Sequence, residues 1–186
     1  MRRENRKKYF FDKIVYIILF LVFSTNIFSE KLPGDQMQII SNAFENGKII
    51  PSKYTCDASD ISPSLSWDDV PDNTKSFVLI VDDPDAPHGT WDHWILFNIP
   101  SNVRAFPENI SELPEGTRQG KNSWDKTGYG GPCPPSGVHQ YYFKLYALDA
   151  VLTLNDGANK TKIMDAMKNH VIAEASLLGK YERIKK

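Results

Sequence analysis

The run Ser76-Phe77-Val78-Leu79-Ile80-Val81-Asp82-Asp83-Pro84-Asp85-Ala86-Pro87 is apolar without alternation from Phe77 to Val81, then breaks into acids and prolines. A β-branched and aromatic run with no polar face belongs to a strand covered on both sides, as at the centre of a sandwich sheet. Ending in Asp82 and Asp83, that strand delivers carboxylates to the edge of the sheet.

Outward from this run the chain keeps the same character. Met37–Ile40, Lys48–Ile50, Leu65–Trp67, Ser76–Asp82, His93–Ile99 and Gln140–Leu148 are short stretches rich in Val, Ile, Phe, Tyr and Trp, punctuated by Pro, Gly, Asn and Asp. That pattern predicts antiparallel strands joined by turns. No long helical pattern precedes residue 159. Beyond it, Ile163, Met164, Met167, Val171, Ala175 and Leu178 recur at three- and four-residue steps, which predicts one amphipathic helix packed on an all-β core. Asn159 or Thr161 is available as its N-cap and Gly179 as its stop.

The first 29 residues differ in kind. Arg2, Arg3, Arg6, Lys7, Lys8 and Lys13 precede an apolar run from Ile14 to Phe23, the plan of a secretory signal. The run is short for a span, which needs about 20 apolar residues, although Ile27 and Phe28 extend it toward an uncleaved anchor. The expectation is an exported protein, periplasmic or secreted, with residues 1–29 as signal peptide or N-terminal anchor and residues 30–186 as one domain. Contact with a membrane is expected only through the N-terminal segment, if it stays uncleaved.

Residues 1–29 hold six of the 22 basic and two of the 23 acidic side chains, so the remainder carries a net −5. Such a domain does not suit nucleic acid, whose phosphates need clustered Lys and Arg. In an oxidising compartment Cys56 and Cys133 form one disulfide or stay as two buried thiols.

Three constellations carry polar chemistry. In the first, Pro84 biases Asp83 toward an extended conformation, so that Asp83 and Asp85 project to one side; the same residues also suit an Asx-type turn. The second is Thr90–Ile99, an apolar strand with His93 near its entrance, where a satisfied core histidine competes with a ligand-binding one. In the third, Gly128–Gly137 joins glycines to Pro132, Pro134 and Pro135, a composition suited to a rigid pocket wall. Alternation in the strand that follows puts His139, Tyr141, Phe143, Leu145 and Ala147 on one face.

Together with Tyr54-Thr55-Cys56-Asp57, Ile61–Trp67, Asp83–Pro87, His93-Trp94 and His170–Ala175, these segments resemble the phosphatidylethanolamine-binding family. The likeness is to its bacterial and archaeal branch, often called Raf kinase inhibitor-like proteins, and runs from about residue 37 to 183. It implies a two-sheet antiparallel Greek-key β-sandwich with a C-terminal helix and a small cavity for phosphate-like anions or a phosphoethanolamine head group.

Carried over residue by residue, the ligand-binding positions are Asp83, Asp85, His93, His139 and Tyr141, with Pro84, Pro87, Gly131 and Pro132 in the pocket wall. Two departures narrow the expectation from lipid carrier to small-anion binder: a shorter segment between Pro87 and His93 than in the eukaryotic branch, and no long C-terminal extension.

In such a pocket His93, His139 and Tyr141 are expected to donate hydrogen bonds to an oxyanion, with Asp83 orienting a histidine by holding one ring nitrogen. Alternatively Asp83 or Asp85 accepts from a ligand ammonium. The family name adds a regulated protein partner, a kinase or a protease, as an expectation.

A hydrolase acting on a small phosphorylated compound through the same residues is the alternative, although no Gly-x-Ser-x-Gly nucleophile elbow is present. Cys133 between two prolines reads as a packed thiol or half of a disulfide rather than a nucleophile. No His-Glu-x-x-His or Cys-x-x-Cys spacing singles out a metal site, and no cofactor is expected. His88 is expected to be solvent-exposed, and His170 to be a hydrogen-bonded packing residue of the helix.

Overall fold

The computed structural model describes residues 36–183; the reading of residues 1–29 as signal peptide or anchor lies outside them. Nine strands and one α-helix follow in the order β1 (Gln38–Ile40), β2 (Lys48–Ile49), β3 (Leu65–Asp68), β4 (Ser76–Asp83), β5 (Trp91–Pro100), β6 (Ala105–Phe106), β7 (Arg118–Gln119), β8 (Val138–Leu148), α1 (Lys160–Met167) and β9 (Val171–Glu182).

The strands form two sheets, β1-β3-β6 and β2-β9-β8-β4-β5-β7. Every pairing is antiparallel except that of β2 with β9. In the larger sheet β4, β5 and β7 lie side by side and β8 returns to the free side of β4, which is Greek-key order. β4 is buried at every position, because β5 and β8 satisfy its backbone and apolar layers cover both of its faces.

Ile39, Leu65, Trp67 and Phe106 of the smaller sheet meet Phe77, Leu79, Leu96, Phe143 and Leu145 of the larger one in the main core. On the other face of the larger sheet, Ile163 and Met167 of α1 pack on Val78, Ile80, Ile95 and Phe97. Asn159 caps α1 by accepting from the Lys162 backbone N–H at 3.0 Å. No helix among the described residues is long and apolar enough to cross a membrane.

The C-terminal helix is present but shorter than its apolar pattern implies. Val171, Ala175 and Leu178 belong to β9, which pairs with β8 along the whole length of that strand. An eleven-residue strand such as β8 cannot leave its outer row of N–H and C=O groups unpaired next to a core, and β9 supplies the partners. Along β9, Ala173, Ala175, Leu177, Gly179 and Tyr181 face the β8 residues Ala147, Leu145, Phe143, Tyr141 and His139 in turn.

Gly179 is therefore a close-approach glycine rather than a helix stop. A Cβ there would lie 2.4 Å from Ile50 Cγ1 and 2.9 Å from Phe44 Cε2. β6 and β7, two residues each, gave no sequence signal.

Candidate functional site

Because β4 lies between β5 and β8, the C-terminal end of β4 meets the start of both neighbours. Val81 pairs with Phe143 and Asp82 with Tyr142, so alternation puts Asp83 on the face that carries His139 and Tyr141. On the β5 side Val81 pairs with Trp94, but Asp82 pairs with Asp92. His93 is thus the extra residue of a β-bulge, a device that re-aims one side chain and often borders functional sites. Here the bulge keeps Asp92 on the outer face and brings His93 to the inner one.

All four inner residues are buried: Asp83 and His93 are each 3% exposed, His139 7% and Tyr141 0%. The Asp83 carboxylate is divided between two tasks. Its Oδ1 accepts from the Asp85 N–H at 2.9 Å, closing an Asx-type turn, while its Oδ2 lies 2.8 Å from His139 Nδ1. His93 Nδ1 lies 2.7 Å from the Gly130 carbonyl, and Gly130 N–H donates back to the His93 carbonyl at 3.1 Å. The His93 ring stands edge-to-face between Tyr141 and Trp124, with centroids at 5.2 Å and 5.1 Å.

Asp83, His93 and His139 open onto the base of a cavity of about 260 Å³ that has Pro87, Trp91 and Pro134 among its walls. Cys133 and Trp124 separate it from a second cavity of about 330 Å³ that also borders Asp60, Lys126 and Gly131. Cys133 is joined to Cys56, which ties the Gly128–Gly137 loop to the turn after the 3-10 helix Ser52–Tyr54.

Gly130 and Gly131 are there for close approach. A Cβ on Gly130 would lie 2.7 Å from the Trp124 ring, and one on Gly131 2.4 Å from both Asp60 Oδ1 and the Tyr54 carbonyl oxygen. Among the described residues no group of three or more His, Cys, Asp or Glu side chains is arranged to hold a metal ion.

The tautomers follow from the acceptors. A carbonyl oxygen only accepts, so His93 carries its proton on Nδ1; an ionised Asp83 imposes the same on His139. In each neutral ring Nε2 is then a lone pair, and it becomes a donor only in the imidazolium. This reverses the expectation that carboxylate orientation alone presents a donor to the ligand. Burial holds the His93 pKa below its ordinary value of 6.5, against the opposing pull of the Gly130 carbonyl and Asp83. The Tyr141 hydroxyl is buried beside Asp83, without a hydrogen bond of good geometry among the described residues; burial first, then the Asp83 charge, raise its pKa and keep it protonated.

The predicted site residues therefore divide. Asp83, His93 and His139 line the cavity together with Pro87, and Tyr141 lies against the His93 ring. Asp85 is exposed and does not share the base with Asp83, since its Oδ2 accepts from the Gln140 backbone N–H at 2.9 Å and pins the β4–β5 loop to β8. Pro84 is exposed and is not a wall residue, because the Asx turn directs it outward. Gly131 borders the neighbouring cavity, and buried Pro132 borders neither.

Sequence reasoning missed Trp91 and Trp124, which stack edge-to-face at 5.4 Å. It also missed His88, which is exposed as expected but stands at the cavity wall. Trp124 lies in a polar loop with no periodicity, and only its tryptophan identity was a signal. His170 is not in the helix: it precedes β9 and pairs with Asp149 at 2.8 Å. That is the far end of β8 from His139, about 30 Å away at ~3.3 Å per residue.

Comparison with known proteins bears on the family and the fold. The phosphatidylethanolamine-binding protein profile matches residues 40–182. A UPF0098 protein of Methanothermobacter thermautotrophicus is 52% identical over 150 residues, covering 79% of this chain and 99% of its own. One of Aquifex aeolicus is 47% identical over 155 residues, covering 81% and 91%. The crystal structure of CT736 from Chlamydia trachomatis, described as a putative phosphatidylethanolamine-binding protein homologue, superposes with a TM-score of 0.77 at 44% identity, covering 81% of this chain and 99% of that one. Escherichia coli YbcL, described as a new member of the mammalian family, gives 0.76 at 33% identity, covering 80% and 99%. The chain belongs to the phosphatidylethanolamine-binding protein family.

Proposed function

We propose that the chain is a small-anion-binding protein that takes phosphate or a phosphoethanolamine-like group at the base formed by Asp83, His93 and His139, with Tyr141 against the His93 ring. The observation that carries the reading is the pair of committed Nδ1 atoms, at 2.8 Å from Asp83 and 2.7 Å from Gly130, on two buried rings that line one cavity. Each ring has Nε2 left for a ligand. A phosphate oxygen meets that nitrogen only with a proton between them, on either the imidazole or the phosphate.

Binding is therefore coupled to proton uptake. Bonds to a charged partner are worth about 1.5–3 kcal/mol each, so two imidazole bonds and the Tyr141 hydroxyl supply enough to hold a small anion against the Asp83 charge. An ammonium group on the same ligand would meet Asp83 or the exposed Asp85 at the rim.

Export is part of the proposal; its support is the basic and apolar N-terminal sequence together with the Cys56–Cys133 bond. Regulation of a protein partner, a kinase or a protease, is also part of it, with the family resemblance as its support. Calorimetric titration of inorganic phosphate and phosphoethanolamine into the protein and into His139→Ala tests the site. Binding that the substitution weakens by tenfold or more is expected, and equal binding by the variant would remove the site. Turnover of a phosphomonoester that vanishes in His93→Ala and His139→Ala would convert the reading to a hydrolase.

A further inference from the structure

The residues behind the site are also organised. Asp82 and Asp92, which pair across β4 and β5, immediately precede Asp83 and His93 in the chain and project to the opposite face of the sheet. There the first residue of α1 reaches both of them: Lys160 Nζ lies 2.9 Å from Asp82 Oδ2 and 2.6 Å from Asp92 Oδ1. Lys144 of β8 also contacts Asp82, at 2.9 Å, but not Asp92. Asp82 is 1% exposed, so its charge is set in a poorly solvated place and its contacts are correspondingly directional.

The rung that Lys160 bridges is the one at which the β-bulge shifts the register. A bulge gives up ladder hydrogen bonds and is held by whatever surrounds it. On its outer edge the Ser123 hydroxyl accepts from the Asp92 N–H at 2.8 Å, and Ser123 N–H donates to the Asp92 carbonyl at 2.9 Å. Across the rung itself, among the described residues, Lys160 is the side chain that joins the two strands.

We propose that Lys160 is a positioning residue for the anion site, clamping the Asp82–Asp92 rung from the outer face and so fixing the spacing of Asp83 and His93 on the inner face. The inference rests on the reading of those two residues as part of the site. Lys144 provides the control, because it shares Asp82 and leaves the β4–β5 spacing to Lys160.

The test compares Lys160→Met, Lys160→Arg and Lys144→Met in the full protein, by the nitrogen-detected NMR resonances of the His93 ring and by calorimetric titration with inorganic phosphate. In Lys160→Met the His93 ring resonances are expected to move and phosphate affinity to fall by about tenfold or more, the scale on which partners that orient a binding group alter affinity. Lys160→Arg restores both, and Lys144→Met leaves affinity within about threefold. A Lys160→Met protein with unmoved His93 resonances, or a Lys144→Met protein that moves them equally, overturns the clamp. If the parent protein does not bind phosphate, the anion-site reading falls while the ring resonances still decide the clamp. Should Lys160→Met fail to fold, Asp92→Asn removes one arm and leaves Lys160 on Asp82.

Discussion

Replacing Cys56 and Cys133 together by serine should cost the folded protein several kcal/mol. The bond joins positions 77 residues apart in sequence, so in the unfolded chain it closes a loop of that length. The chain-entropy relation for such a loop gives about 4.5 kcal/mol at 25 °C. For a domain of this size each kcal/mol corresponds to roughly 2–4 °C in the melting midpoint. A fall of about 9–18 °C is therefore expected by differential scanning calorimetry, and reduction of the parent protein should give the same fall. Cys133 also borders both cavities, so the variant should bind phosphate more weakly even well below its midpoint. A fall under about 2 °C would refute the argument, since it would mean that this crosslink does not constrain the unfolded chain.

Stability should fall as the pH drops from 7 to 5, partly through His93. Its folded pKa lies below the 6.5 of the unfolded chain because burial disfavours the charge, so the stability it contributes is complete above pH 6.5 and is lost as the pH falls through the folded value. His93→Asn should flatten that slope by at most about 1.4 kcal/mol per pH unit, and an unchanged slope in pH-dependent urea melts would contradict this. Gly179→Val should destabilise by about 2 kcal/mol or more, because β9 brings Ile50 and Phe44 against that backbone; an unaltered urea midpoint would contradict the placement of Gly179 against them. Asp83→Ala removes two hydrogen bonds to a buried carboxylate and should cost about 3 kcal/mol in the same assay, whereas Asp85→Ala, at an exposed position, should cost under about 1 kcal/mol.

The strands that were legible in the sequence are those whose burial is two-sided or strictly alternating. Phe77–Val81 and the face running through His139, Tyr141, Phe143 and Leu145 declare themselves because covering layers demand apolar side chains at fixed positions. β9 did not, since its apolar residues at 171, 175 and 178 fall at helical spacing by coincidence and, beside Leu177 and Tyr181, its inner face holds Ala173, Ala175 and Gly179, residues too small to mark a strand. Its existence follows from the hydrogen-bonding need of β8, a long-range requirement that no local window contains.

The site divides on the same principle. Asp83, His93, His139 and Tyr141 sit on strands, and strand register carried them together. Asp85 and Pro84 went outward because the Asp83 side chain closes a turn, a choice between the two readings that the Asp-Pro-Asp pattern left open. Trp124 reaches His93 from a loop 31 residues further along the chain, and nothing in its neighbourhood encodes that contact. The bulge at His93 was equally hidden, because it depends on the pairing of Asp82 with Asp92 rather than on either segment alone.

Proton uptake on phosphate binding discriminates the proposed chemistry from adventitious association. Calorimetric titrations of inorganic phosphate near pH 7, in two buffers of different ionisation enthalpy, count the protons taken up per anion bound. Net uptake in the parent protein, lost together with the affinity in His93→Ala and His139→Ala, is the expected result. Binding with no proton uptake, or binding that survives both substitutions, would contradict a site in which Nε2 of His93 and His139 meets the anion.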